Sequence, residues 1–477
     1  MKKAVKALIM ASAACVIGLS SGSSTAYMSE SVREAAFGTI GTKQDIAGWK
    51  EWVSENAVTI STIKPRQEIS SGKSEDRFQH FADLAFLKPL LQDKRIVSLG
   101  EASHGASEYN SVKVRLIQYL HEELGYNVLA FESNLGDTTA AYMKANHKKP
   151  HEVMKNSIFG VWQVEENLPL FEYIAERSKT ERPLILTGVD AQGTSETFID
   201  FAQKWFSTVD KSKAKAFAET EREYLRLHMI DNIEQFNREQ PKIKRKYIDF
   251  QKFIKKNQLK LSQACKEHPE LVPRMKRILQ NRVDMLDSYI PKSVQFMAGK
   301  EPEKHLKQAS YERDRIMADN LAWLARTLYP NEKIIVWGHN YHIRKHNSTM
   351  ITEHNGFDFD NNPYPTMGEM IPFQLKKESY TIGLYAFQGS SSKNNGESET
   401  VALPHRAGSL EDILKAGKGP VTFIDMSRQE MNKGNSWMFT PLIAKAWGVL
   451  EEEMIPRDQY DGILFIDTIH PSKRIKK

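Results

Sequence analysis

Cysteine is nearly absent: Cys15 and Cys265 are the only thiols in 477 residues. A framework of several disulfides is therefore excluded. No run reaches the roughly 20 consecutive apolar residues that a spanning helix needs, so no stable transmembrane anchor is expected. An excess of one charge is also missing. The formal net charge is only +6, with Lys and Arg spread among Asp and Glu, and that balance does not point to nucleic acid. Several reaction signatures are lacking as well: the G-x-S-x-G elbow, the P-loop, G-x-G-x-x-G and H-E-x-x-H. A small molecule is the expected partner.

What the chain does have begins with a leader-like start, "MKKAVKALIMASAACVIGLSSGSSTA". Lys2, Lys3 and Lys6 form a basic region, residues 7–19 an apolar one, and Ser24-Thr25-Ala26 the small residues that a signal peptidase accepts. The pattern predicts export with cleavage after Ala26, to the medium or the cell envelope; an uncleaved N-terminal anchor is the alternative. Cys15 lacks the surroundings of a lipoprotein box. Loss of the leader would leave a net charge of +3 and Cys265 as the sole thiol, so no intramolecular disulfide could form.

Further on, short β-rich runs recur: "RIVSLG" (95–100), "NVLAFES" (127–133), "PLILTGVD" (183–190), "KIIVWGHN" (333–340), "YTIGLYAF" (380–387), "PVTFIDMS" (420–427) and "GILFIDTI" (462–469). Most are continuous apolar runs, the pattern of strands covered on both faces. With helical sequence between the early ones, the expected fold is α/β with a mostly parallel central sheet flanked by helices. Residues 200–330 break the rhythm with charged, helix-favouring sequence and read as a large helical insertion. It divides the core into 91–199 and 331–477, preceded by a helical and linker segment over 27–90 that includes the turn-rich "SSGKSEDR". The Gly/Ser-rich "QGSSSKNNGESET" (388–400) is expected to be a mobile loop.

Ligands of parallel α/β sheets bind beyond the carboxyl ends of the strands. Here four predicted strands end in ionisable groups: Glu101 and His104, Glu132, Asp190, and His339 with His342. Each can be a helix cap or a hydrogen-bonded structural group. Together, two or more imidazoles and several carboxylates can form an acid/base site, because a carboxylate fixes an imidazole's tautomer and raises its basicity. The same set can instead bind a divalent metal, and the spacing does not choose. After His104 a helix is predicted in which Glu108, Val112, Arg115 and Tyr119 share a stripe and Lys113 lies on a neighbouring face. Lys113 and Arg115 either favour an anionic intermediate or form an ordinary charged surface. Cys265, inside the helical region, is no candidate nucleophile.

The ordered segments "GEASHGASEYNSVKVRLIQYLHEELGYNVLAFES", "GVDAQG", "RDRIMADNLAWL", "VWGHNYHI" and "YDGILFIDTIHPS" resemble the signatures of the erythromycin esterase family over about residues 95–470. The resemblance implies a hydrolase without metal or other cofactor that activates water against an ester or lactone, the macrolactone of erythromycin-type antibiotics being the family's named substrate. It implies His104 as general base, Glu101 and Glu132 as groups orienting it or the water, and His339 as completing the site. Lys113 or Arg115 would hold carboxylate partners or the developing oxyanion. Glu108, Asp190, Asn340, His342 and Arg313 become candidates for substrate contact or for support of the inner residues. A metal-dependent hydrolase using the same residues and a non-catalytic envelope protein with the family fold are the alternatives.

Overall fold

All seven apolar runs form strands. The computed structural model describes residues 41–66, 80–145, 148–352 and 364–475, so the leader-like start and the "SSGKSEDR" link lie outside the described residues. Among them run β1 (Val58–Thr59), β2 (Ile96–Leu99), β3 (Tyr126–Asn134), β4 (Ile185–Asp190), β5 (Lys333–Trp337), β6 (Ile351–Thr352), β7 (Ser379–Ser392), β8 (Ser398–Thr400), β9 (Val421–Asp425), β10 (Leu442–Ala446), β11 (Leu450–Met454) and β12 (Gly462–Ile469). The main sheet has the order β1-β9-β12-β7-β2-β5-β3-β4. From β12 to β4 every neighbouring pair is parallel, while β9 is antiparallel to β12 and β1 to β9. Every residue of β2 is buried, as a strand covered on both faces requires.

Parallel strands need crossovers, and the first is α1 (Ser107–Leu124), which leads from β2 past the position of β5 to β3. Its left-handed C-terminal residue, Gly125 at φ 74°, turns the chain directly into β3. Because β2, β5, β3 and β4 are consecutive in the sheet and parallel, their carboxyl ends lie along one edge. The four sets of ionisable groups read from the sequence are thereby delivered to neighbouring positions.

Between β4 and β5 every regular element among the described residues is helical, from Glu196–Ser207 to α2 (Pro302–Trp323). This insertion has its own apolar cluster, built around Phe206, Phe217, Tyr247, Phe250 and Leu279. Helix α2 returns to the sheet, packing Met317 and Leu321 with Val128, Val189 and Val336. Arg313 lies one helical turn before Met317, so the same face that docks α2 carries Arg313 to the strand ends.

Two features depart from the sequence reading. Residues 388–400 are not an open loop: β7 continues to Ser392 and pairs with β8 across a turn containing Gly396 at φ 91°. Asn-Asn-Gly at that turn is hairpin chemistry. In addition, β10, β11 and β6 form a separate three-stranded antiparallel sheet that the search for long apolar runs passed over. Both features reach the site.

Candidate active site

Immediately after β2 the chain bends at Gly100, where a Cβ would stand 2.0 Å from Asn340 Oδ1. Only glycine allows that approach, which lets the Asn340 amide bridge to the backbone of Leu384 on β7. Glu101 follows, fully buried, with its carboxylate held from three sides. Its Oε1 accepts from Trp162 Nε1 at 2.6 Å and contacts His104 Nδ1 at 2.7 Å, while Lys113 Nζ pairs with Oε2 at 2.6 Å. Lys113 also sits 3.9 Å over the Trp337 ring. Burial pulls the Lys113 ammonium down to about 8, against the opposing pull of Glu101 and Glu132. A carboxylate on Nδ1 fixes the Nδ1–H tautomer of His104 and leaves Nε2 as its basic nitrogen.

His339 lies beside this group, its ring centroid 5.0 Å from that of His104. Its Nε2 bonds to the Ala102 carbonyl at 3.1 Å, and its Nδ1 accepts from the Tyr341 N–H at 3.1 Å. Burial, and then the neighbouring His104, hold its pKa well below the ordinary imidazole value. Over His339 stacks Trp447 from the turn between β10 and β11, with centroids 4.9 Å apart and planes 21° apart; the same indole meets His104 edge-on at 5.2 Å.

The next strand ends form a second cluster. Arg313 Nη2 lies 2.8 Å from Glu132 Oε1 and 2.6 Å from Asp190 Oδ2. His342 lies between Asp314, 2.7 Å from Nδ1, and Glu132, 3.2 Å from Nε2. Burial opposes charge on His342, but the two carboxylates outweigh it and raise its pKa to about 10. We therefore assign it as an imidazolium, although Arg313 Nη1 approaches Nε2 at 3.0 Å. Two cations among three carboxylates leave the cluster one negative charge, whereas a neutral imidazole would leave two. Burial likewise works against a charged Glu132, yet His342, then Arg313 and His104, hold it well below the usual carboxylate range. The clusters meet where the His339 N–H donates to Glu132 Oε2 at 2.9 Å.

A small cleft, partly open to solvent, reaches His104. Val161 and Val164 form its apolar wall, the β7–β8 turn (Ser392, Lys393, Asn394) another, and Ser472 and Arg474 the last. Residues 470–475 lie across the loop as a strap: Ser472 N and Ser392 N both donate to the Gly105 carbonyl, and Arg474 bonds to the Lys393 and Asn394 carbonyls.

The family model described as erythromycin esterase matches residues 121–469. The chain belongs to the erythromycin esterase family. It is similar to the Bacillus subtilis (strain 168) protein named "Putative hydrolase YbfO", at 39% identity over 431 residues covering 90% of this chain and 92% of that one. It is also similar to Escherichia coli erythromycin esterase type II, at 22% identity over 316 residues covering 62% and 69% of the two chains. Its fold matches that of a mutant of the erythromycin esterase EreC in its open conformation, with a TM-score of 0.58 at 15% identity, covering 83% of this chain and 96% of that one. As a member of this family the protein is a hydrolase.

In this erythromycin esterase family member the structure brings together Glu101, His104, Lys113, Glu132 and His339, with Asp190, Asn340, His342 and Arg313 around them. Arg115 is elsewhere, and Glu108 holds the start of the strap instead of joining the inner group. Arg115 pairs with Asp83 and the Thr62 and His80 carbonyls, and Glu108 accepts from His470. The reason is helical period: Lys113 and Arg115 are two residues apart on α1, about 200° around its axis, so only one can face the site. Trp162, Asp314 and Trp447 were not anticipated. Asp314 had a signal, since it adjoins Arg313 in the "RDRIMADN" motif; the two tryptophans had none. As for the metal alternative, among the described residues no group of three or more His, Cys, Asp or Glu side chains is disposed to hold an ion. Glu132, Asp190 and Asp314 are instead directed at Arg313 and His342.

No helix among the described residues is long and apolar enough to cross a membrane.

Proposed function

We propose that this protein hydrolyses a carboxylic ester or lactone by direct attack of water, with His104 as general base. The observation that carries the reading is the buried Glu101–His104 pair at 2.7 Å, beside the cleft and fixed by Lys113 and Trp162. His104 Nε2 takes a proton as a water oxygen bonds to the acyl carbon, and Glu101 stabilises the imidazolium formed. When the tetrahedral intermediate collapses, the same nitrogen returns the proton to the departing alkoxide. Base catalysis of this kind contributes roughly two to four powers of ten in rate. No acyl-enzyme is needed, in keeping with the missing nucleophile elbow.

The substrate class extends to macrolactones on the strength of family membership, and the N-terminal pattern supports action outside the cytoplasm after cleavage at Ala26. Sequencing the N-terminus of the exported protein checks the second point. For the first, the protein and its His104→Ala variant are assayed on a panel of macrolides and simple esters, with and without chelator. Chelator-resistant turnover that disappears in a folded variant is the expected result. Turnover that persists in the variant would overturn the role of His104, and turnover abolished by chelator would move the reading to a metal-dependent hydrolase.

A further inference from the structure

The Ala102 carbonyl, between the proposed base and its carboxylate partner, accepts two hydrogen bonds: one from His339 Nε2 at 3.1 Å and one from the Trp447 N–H at 2.9 Å. A carbonyl offers two lone pairs, so both are engaged. His339 Nδ1 accepts from the Tyr341 N–H, which requires the ring proton to sit on Nε2. Each ring nitrogen of His339 is thus committed to the main chain. Trp447 is anchored as specifically. It holds φ 57°, a left-handed backbone that bulky side chains rarely adopt, and Gly448 follows at φ 75°. The pairing of β10 with β11 imposes that turn and lays the indole flat on His339.

We infer that His339 and Trp447 are positioning residues, which clamp the Ala102 carbonyl to hold Glu101 and His104 in register, and that His339 exchanges no proton with substrate. The inference rests on the hydrolytic reading of His104. It assigns the second imidazole of the site a fixed neutral role, and it makes the β10–β11 hairpin a working part of the enzyme. The depressed pKa of His339 agrees with that neutral role.

The test compares His339→Ala, His339→Gln, Trp447→Ala and the double alanine variant on an ester that the wild-type protein turns over. Ring ¹⁵N spectra of the wild-type histidines accompany the kinetics. A misplaced base costs on the order of 100-fold, so His339→Ala should lower kcat by about that much with little change in KM. His339→Gln keeps an N–H able to reach the carbonyl and should recover about tenfold or more of the loss. The double variant should be scarcely slower than His339→Ala, because both residues act on one acceptor. The His339 ring should keep its neutral Nε2–H signature while the rate titrates. If His339→Gln folds yet is as inactive as His339→Ala, or if the His339 ring titrates with the rate, the inference is overturned in favour of a proton-transferring His339. Unchanged kcat in His339→Ala also overturns it. Should the alanine variants fail to fold, His339→Gln and the wild-type spectra decide. Full turnover by His104→Ala would defeat the hydrolytic reading separately, leaving the tautomer of His339 to be judged by its spectrum.

Discussion

One guanidinium nitrogen of Arg313 is shared between Glu132 and Asp190, carboxylates from neighbouring strands, so a residue of the helical insertion neutralises the ends of β3 and β4 together. Removing it would take the paired cation from buried Asp190 and leave Glu132 to His342 alone. Arg313→Leu is expected to destabilise the fold by about 3–5 kcal/mol, read from urea denaturation. Arg313→Lys should restore only part of that, since a single ammonium cannot reproduce the planar fork. Equal stability of wild type and Arg313→Leu would refute the bridge.

His342 sets a pH dependence of stability. Its pKa is raised from 6.5 to about 10, so its contribution is fully present below 6.5 and declines as the pH rises toward 10. Lys113 acts oppositely in the upper part of that window: its pKa is lowered to about 8, and the unfolded chain binds the extra proton between 8 and 10.5. The decline should therefore be steepest between about pH 6.5 and 8. Denaturation midpoints across this range should fall in the wild type and stay flatter in His342→Gln; parallel profiles would remove His342 as the cause.

Trp162 donates to the same Glu101 oxygen that faces His104. Trp162→Phe keeps an aromatic face against the imidazole but loses a hydrogen bond to a charged acceptor, a loss of about 1.5–3 kcal/mol. If Trp162 orients the carboxylate, kcat should fall roughly 10- to 100-fold, the range of lost orienting contacts around an active group. A variant with unaltered kcat would make Trp162 a packing residue only.

Lys113 and Arg115 offer a matched contrast on one helix. Lys113→Met leaves Glu101 without its cation and is expected to lower kcat by about two powers of ten or more. Arg115→Ala, which loses Asp83 and two carbonyl partners far from His104, should cost about 2–3 kcal/mol of stability and leave kcat of the folded enzyme intact. Kinetics and melting on the same preparations separate the two, and a reversed pattern would show that the site has been assigned to the wrong face of α1.

The contrast also marks what was legible in the sequence. Continuous apolar runs identified the buried strands, and the ionisable residues at their ends identified the edge on which the site is built. The K-x-R pattern could not choose its own cation, because the choice depends on the angle at which α1 packs. Asp314 was signalled only by its place beside Arg313 in the "RDRIMADN" motif, because the many charges of its helix resemble a solvated face. Trp447 reaches His339 only through the pairing of β10, β11 and β6, a contact between distant segments that no local periodicity reports. The Gly/Ser-rich segment 388–400 looked unstructured for the opposite reason: its pairing residues are small and polar, and only the Asn-Asn-Gly turn hinted at a hairpin.

The strap at residues 470–475 has a consequence for synthesis. The ionisable residues gathered at the strand ends, from Glu101 to His342, all precede β12 and the strap in the chain. Yet β12 lies inside the sheet between β7 and β9, and the strap supplies the last wall beside His104. A growing chain would carry the complete set of reactive groups long before it could assemble a cleft around them. Hydrolytic competence is thus gained late, when the final strand and strap are available to fold, and a product ending before residue 462 would lack both.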